Sequence, residues 1–247
     1  MRVLVTNDDG IQAPGLTVLV DAAQSNGWEV VVVAPSQQRS GTSRSFYSDS
    51  IVGLREVYSH SCRSYTTEST PAACVLAALG STVGGNFDLC LSGVNSGENL
   101  GAGLTISGTF GAAVEAAIHG IKSVAVSIEC GDPADEPDKW QWERVAVRLP
   151  SLLKQLVGAV PEITPFVLAN VNLAWYGLAE DVVYCDVSQE SYLSDVYDDA
   201  SDSIRSARGY RVNGLKPQDD ILWFAERHRN TATLFANGPF TPIPITR

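Results

Sequence analysis

Directly after the apolar run Val3-Leu4-Val5, the sequence Thr6-Asn7-Asp8-Asp9-Gly10 sets two carboxylates side by side. Adjacent acids shielded from water repel each other, and a hard divalent cation is the usual compensation. A plain Asp-Gly turn would read the same way taken alone. Three further stretches carry compatible chemistry. Pro35-Ser36-Gln37-Gln38-Arg39-Ser40-Gly41 offers the Ser40 hydroxyl beside an arginine. Gly93-Val94-Asn95-Ser96-Gly97-Glu98-Asn99-Leu100-Gly101 has three glycines, which let backbone approach a ligand, and two asparagine amides. Ser107-Gly108-Thr109 opens an Ala-rich segment that ends near His119. Free N–H groups and the helix dipole at such a start attract anions, and Ser107 and Thr109 can add two hydroxyl donors. A capped helix packed closely on a sheet is the plainer reading of that stretch. Two carboxylates, a serine hydroxyl and an asparagine carbonyl make an all-oxygen set that suits magnesium or manganese and suits zinc or copper poorly.

Such residues need a frame to bring them together. Short, nearly continuous apolar runs predict strands at 2–6, 29–34, 88–92, 123–128 and 166–171, each buried on both faces. Helical patterns at 14–25, 71–80, 108–119 and 140–157 alternate with them. The order predicts an α/β fold with a doubly wound, mainly parallel sheet. In open sheets of this kind ligands bind at the carboxyl ends of the strands, where these stretches fall. After about residue 172 the texture turns to Tyr, Ser and Asp, which predicts irregular or β-hairpin structure. The expected division is a core over 1–172 and an extension over 173–247 within the same structural unit. The acidic residues of 189–203 lack any D-x-D-x-D-G spacing and are read as a solvated loop.

With 28 acidic against 17 basic residues the net charge is −11. The summed field repels nucleic-acid backbones and anionic membranes, so neither is expected as a partner. An acidic chain that handles an anion must supply local positive charge from a metal ion or from oriented N–H groups. Five scattered cysteines without a C-x-x-C pair point to cytoplasmic thiols rather than a disulfide framework or a zinc site. No signal peptide or anchor is visible at the start of the sequence. His60, His119 and His228 lie away from the four loops or at a helix end, and none is given a role; His119 reads as a helix C-terminal residue.

Taken together, Thr6-Asn7-Asp8-Asp9-Gly10-Ile11, Ala34-Pro35 with Arg39-Ser40-Gly41, Ser92 through Gly101, and Ser107-Gly108-Thr109 resemble the stationary-phase survival protein (SurE) family of metal-dependent nucleotidases. The resemblance covers roughly residues 1–130. It implies a Rossmann-like core with an extended hairpin region, one divalent metal (Mg²⁺ or Mn²⁺), 5′- or 3′-nucleotidase and acid-phosphatase-like activity, and homodimers or homotetramers, with the extension serving oligomerisation. By position it implies Asp8, Asp9, Ser40 and Asn95 as metal ligands, one of the aspartates doubling as base. Asn99, Ser107, Gly108 and Thr109 would hold the phosphate, and Asp8, Asp9, Asn99, Ser107 and Thr109 would form the catalytic set. Arg39 or Arg44 could help admit the anion.

The chain also departs from the family pattern. Thr70-Pro71-Ala72-Ala73-Cys74-Val75 stands where Thr-Pro-Ala-Asp-Cys-Val is usual, and the Asp-Pro-Arg-Gly-like stretch of the later half has no match over 172–220. A phosphatase for a non-nucleotide phosphate and a non-catalytic nucleotide-binding protein are therefore the alternatives. An aspartyl-phosphate mechanism would need an acid where Asn7 stands. A dinucleotide-dependent dehydrogenase would need a G-x-G-x-x-G after the first strand, which is absent.

Overall fold

The computed structural model describes residues 1–46, 53–80, 82–129, 139–159, 168–174, 182–189, 193–198, 203–208, 220 and 231–235. Among these residues six strands run parallel: β1 (Arg2–Thr6), β2 (Glu29–Pro35), β4 (Arg63–Thr67), β5 (Leu89–Ser96), β6 (Lys122–Ile128) and β7 (Leu168–Leu173). Antiparallel β3 (Arg55–Val57) flanks β4 at one edge. At the other, β11 (Thr231–Phe235) pairs antiparallel with β7 and parallel with β8 (Val183–Tyr184). The sheet order is β3-β4-β2-β1-β5-β6-β7-β11-β8. The chain therefore winds outward one way from β1 and the other way from β5, and the loops after these two strands meet where the order reverses. That is where an open α/β sheet has its binding crevice.

Among the described residues four α-helices cover the faces: α1 (Pro14–Ser25), α2 (Pro71–Leu79), α3 (Gly108–Ile118) and α4 (Lys139–Ala159). The side-chain period of two along the strands decides which face each residue serves. Val3, Val5, Val30, Val32, Leu89, Leu91, Val124 and Val126 pack with Leu16, Leu19 and Val20 of α1 and Val145, Leu149 and Leu152 of α4. Leu4, Val31, Val33 and Cys90 pack instead with Cys74, Val75 and Ala78 of α2 and Ala112 and Ala116 of α3. Burying each Val or Leu contributes about 1.5–3 kcal/mol relative to exposure, so this alternation fixes the register of every central strand. Prolines open α1 and α2, where a missing N–H costs nothing.

The expected α/β class, doubly wound and mainly parallel, is thus the observed one. The five predicted strands and four predicted helices all appear, with the start of the 166–171 run, at 166–167, outside the described residues. Four strands went unpredicted: β3, β4, β8 and β11. In β4 the buried positions are Ser64, Tyr65, Thr66 and Thr67, too polar to read as a core strand. Past residue 172 the chain forms a hairpin, β9 (Leu193–Asp198) with β10 (Ser203–Arg208), separate from the main sheet. Asp195 and Asp198 of the acidic stretch lie on β9, while Glu190, Asp199 and Asp202 are outside the described residues, as is His228.

Candidate metal and phosphate site

Strand β1 ends in a turn closed by its own asparagine. Asn7 Nδ2 donates to the Gly10 carbonyl (2.9 Å), and the Gly10 N–H donates to Asn7 Oδ1 (3.2 Å). Gly10 adopts φ +102°, which disfavours any other residue there. Asn7 is fully buried and spent on the turn, so no nucleophile occupies the position an aspartyl-phosphate mechanism requires. The turn leaves Asp8 pointing inward, 3% exposed, and Asp9 partly buried beside it.

Helix α3 starts against Asp8. Thr109 Oγ1 donates to Asp8 Oδ1 (2.5 Å), and the Gly108 and Thr109 N–H groups face the same carboxylate. A side chain at position 108 would lie 2.8 Å from Asp8 Oδ2, so only glycine lets the helix approach this closely. Burial pushes the Asp8 carboxyl above the ordinary carboxylate range, and the Thr109 hydroxyl and these backbone groups pull part of the way back. Desolvation is the larger effect. A carboxylate held in this state favours a counter-cation.

The other loops converge on the same end of the sheet. Arg39 N–H donates to the Asp8 carbonyl (2.6 Å), which ties the loop after β2 to the turn after β1. Asp9 Oδ2 accepts from the Ser96 N–H (3.2 Å), which ties that turn to the end of β5. Asn95 Nδ2 donates to the Gly97 carbonyl (2.6 Å), so the amide oxygen is the atom left for a ligand. Ser40 is exposed, and its hydroxyl accepts from Gln38 Nε2 (3.0 Å). Of the four expected ligands, Asp8, Asp9 and Asn95 stand on strand ends that adjoin, and Ser40 stands on the loop bonded to Asp8.

The expected phosphate donors are placed more selectively. Ser107 caps α3, its oxygen accepting from Phe110 N–H (3.0 Å), which leaves the hydroxyl hydrogen to donate elsewhere. Thr109 is fully buried and spends its hydroxyl on Asp8. Asn99 is buried, with Nδ2 donating to Ser127 Oγ (2.8 Å). Both basic residues already have protein partners. Arg39 Nη2 donates to the Glu68 carbonyl (2.7 Å), and Arg44 Nη1 meets the buried Glu115 carboxylate at 2.6 Å. His119 ends α3 as expected and gives its ring to Glu115 (3.1 Å). Ala73, at the position of the usual family carboxylate, is buried in α2 behind the Thr70 cap.

Sequence reasoning missed a polar row beside this site. Asn95, Ser127, Asn172 and Thr231 are in register across β5, β6, β7 and β11. The signal was present in Leu168-Ala169-Asn170-Val171-Asn172-Leu173, where two asparagines alternate with apolar residues in a fully buried strand. Buried amides of that kind need partners, and here they find them on Asn99.

No cluster of three or more His, Cys, Asp or Glu side chains is present among the described residues. The donors these strand ends bring together are two carboxylates and neutral oxygens, the ligand chemistry of hard cations rather than of zinc. No helix among the described residues is long and apolar enough to cross a membrane.

Known proteins resemble this chain in sequence and in fold. A 5′-nucleotidase SurE from Chelativorans sp. is 40% identical over 172 residues, 70% of this chain and 66% of that protein. One from Brucella anthropi is 37% identical over 214 residues, 85% of this chain and 78% of that protein. The chain thus spans just under two thirds of the first relative and more of the second. The crystal structure of the SurE protein from Aquifex aeolicus superposes with a TM-score of 0.74 at 25% identity, covering 96% of this chain and 93% of that one. The family described as Survival protein SurE matches residues 3–193, and the chain belongs to it.

Proposed function

We propose that this protein is a metal-dependent phosphomonoesterase that hydrolyses nucleoside monophosphates, using one magnesium or manganese ion. The observation that carries this reading is the buried Asp8 carboxylate, held at the start of α3 beside Asp9 and at the point where the sheet order reverses. The names of the Chelativorans and Brucella relatives support a nucleotide monoester as the substrate.

Asp8, Asp9, Asn95 and Ser40 would hold the ion. When bound, a divalent cation there supplies Lewis acidity toward a phosphoryl oxygen and acidifies water. One of the two aspartates would take up a proton from the attacking water, and the greater accessibility of Asp9 supports it in that role. The Ser107 hydroxyl and the start of α3 stabilise charge on the phosphoryl oxygens, with Gly108 letting the helix start lie close against Asp8. Thr109 acts through Asp8, fixing its rotamer and favouring its charged form.

The same reading includes a homodimer or homotetramer formed through the β9–β10 hairpin, which stands apart from the main sheet. Cys62, Cys74, Cys90 and Cys185 are free thiols, which supports a cytoplasmic setting. A panel of phosphate monoesters, nucleoside monophosphates included, assayed with and without a chelator tests the substrate class. Preference for a non-nucleotide ester would replace the nucleotidase reading, and no hydrolysis of any ester would leave a binding protein.

A further inference from the structure

The loop between Asn95 and Gly101 lies outside regular structure at its centre, yet its backbone is gripped from two sides. Asn172 Oδ1 accepts from the Asn99 N–H (2.7 Å), and Asn172 Nδ2 donates to the Asn99 carbonyl (2.9 Å). This side chain pairs with one residue's main chain as a neighbouring strand would. Asn170 Nδ2 adds a second donor to the same carbonyl (3.0 Å). From the opposite end of the sequence, Asp220 Oδ2 accepts from the Gly101 N–H (3.0 Å) and Oδ1 accepts from the Ser188 N–H (3.0 Å). Asp220 is itself fixed, since its N–H donates to the Asp186 carbonyl (2.9 Å). All three side chains are buried.

These contacts do not read as packing alone. Asn170 Oδ1 and Thr231 Oγ1 are buried without a hydrogen-bond partner among the described residues, so this polar patch is unfavourable where apolar side chains would fit. Asp220 lies beyond residues 3–193, the stretch that matches the family. A residue outside the stretch that matches the family therefore reaches back to the loop that carries Asn95 and Asn99.

We propose that Asn172 and Asp220 are positioning residues for hydrolysis, a role that rests on the phosphomonoesterase reading. Together they hold the Asn99–Gly101 backbone in one conformation, so that Asn95 and Asn99 are set before substrate binds. A preset loop lowers the barrier by removing the need to order it during reaction, and a displacement of about 1 Å can cost about 10²-fold in rate.

The test uses the full chain with a nucleoside monophosphate and manganese, comparing Asn172→Ala, Asp220→Asn and Asn170→Ala with the unaltered protein. The expected result is a fall in kcat of about 10²-fold for the first two, with KM changed less than about threefold, and a smaller fall for Asn170→Ala because Asn172 still holds the carbonyl. Folded Asn172→Ala or Asp220→Asn protein with unaltered kcat, whatever its melting temperature, would overturn the proposal. Amide hydrogen exchange on the unaltered protein decides the matter if the variants do not fold. The Asn99 and Gly101 amides should exchange as slowly as those of β5 and β6, and exchange at the rate of exposed loops would overturn the clamp. Absence of hydrolysis by the unaltered protein would instead sink the phosphomonoesterase reading, while hydrogen exchange still tests the clamp.

Discussion

Thr109 and Asp8 lie 101 positions apart in the chain, and the hydroxyl of one donates to the carboxylate of the other at 2.5 Å. This bond joins the start of α3 to the end of β1 and sets which way the Asp8 side chain faces. It also acts against the desolvation that raises the Asp8 pKa.

Replacing Thr109 with Val keeps the volume and removes that donor. The Asp8 carboxyl then titrates higher, because burial remains and a charge-stabilising bond is gone. Activity that needs Asp8 ionised is lost as pH falls through its pKa, so the acid limb of the kcat/KM profile should move to higher pH. Turnover at neutral pH should fall by about 10²-fold, and Thr109→Ser should restore most of it. A Val variant with an unshifted profile and unaltered turnover would show that the bond only packs α3 onto the sheet.

Gly108→Ala sets two effects against each other. By helix propensity alone alanine should favour the helix, though by less than the roughly 1 kcal/mol of a helix interior because Gly108 is the first residue of α3. The new methyl, however, would meet Asp8 Oδ2 at 2.8 Å and Asp8 Cβ at 2.9 Å. Contacts that short force Asp8 or α3 to move, so the variant should melt lower than the unaltered protein and lose more than about tenfold in kcat. Equal or higher stability with full activity would mean that the close approach is not required.

Metal binding should appear in stability as well as in turnover. An ion that binds only the folded chain raises the unfolding free energy by about 2.7 kcal/mol at a hundred times its dissociation constant. Thermal melts with manganese or magnesium should therefore shift upward, chelator should reverse the shift, and Asp9→Asn should abolish most of it. An identical shift in Asp9→Asn would move the ion away from this carboxylate.

Much of the frame could be read from the chain because the signals are local. The alternation of Val3, Leu4 and Val5 between two cores, the prolines that open α1 and α2, and the Ser107 cap each sit within a few residues of the structure they cause. The converging loops were legible because strand ends in this fold class share one edge. Partner choice was not. Arg39 and Arg44 suggest an anion path in sequence, but their partners Glu68 and Glu115 are reached only through folding. Asp220 bonds to Gly101 across 119 positions, and the row from Asn95 to Thr231 exists only once four strands are in register. Strand β4 was hidden because its threonines and serine are buried by neighbours rather than by their own hydrophobicity.

The central claim is that Asp8 and Asp9 hold a divalent ion that hydrolysis of a nucleoside monophosphate requires. The most direct measurement is phosphate release from a 5′-nucleoside monophosphate by the purified full chain, first in excess chelator and then after manganese or magnesium is restored. The account predicts no release in chelator, recovery with either ion, and a loss of at least about 10²-fold in Asp8→Asn and Asp9→Asn under the restored conditions. Full release in excess chelator, or undiminished release by both variants, would contradict it.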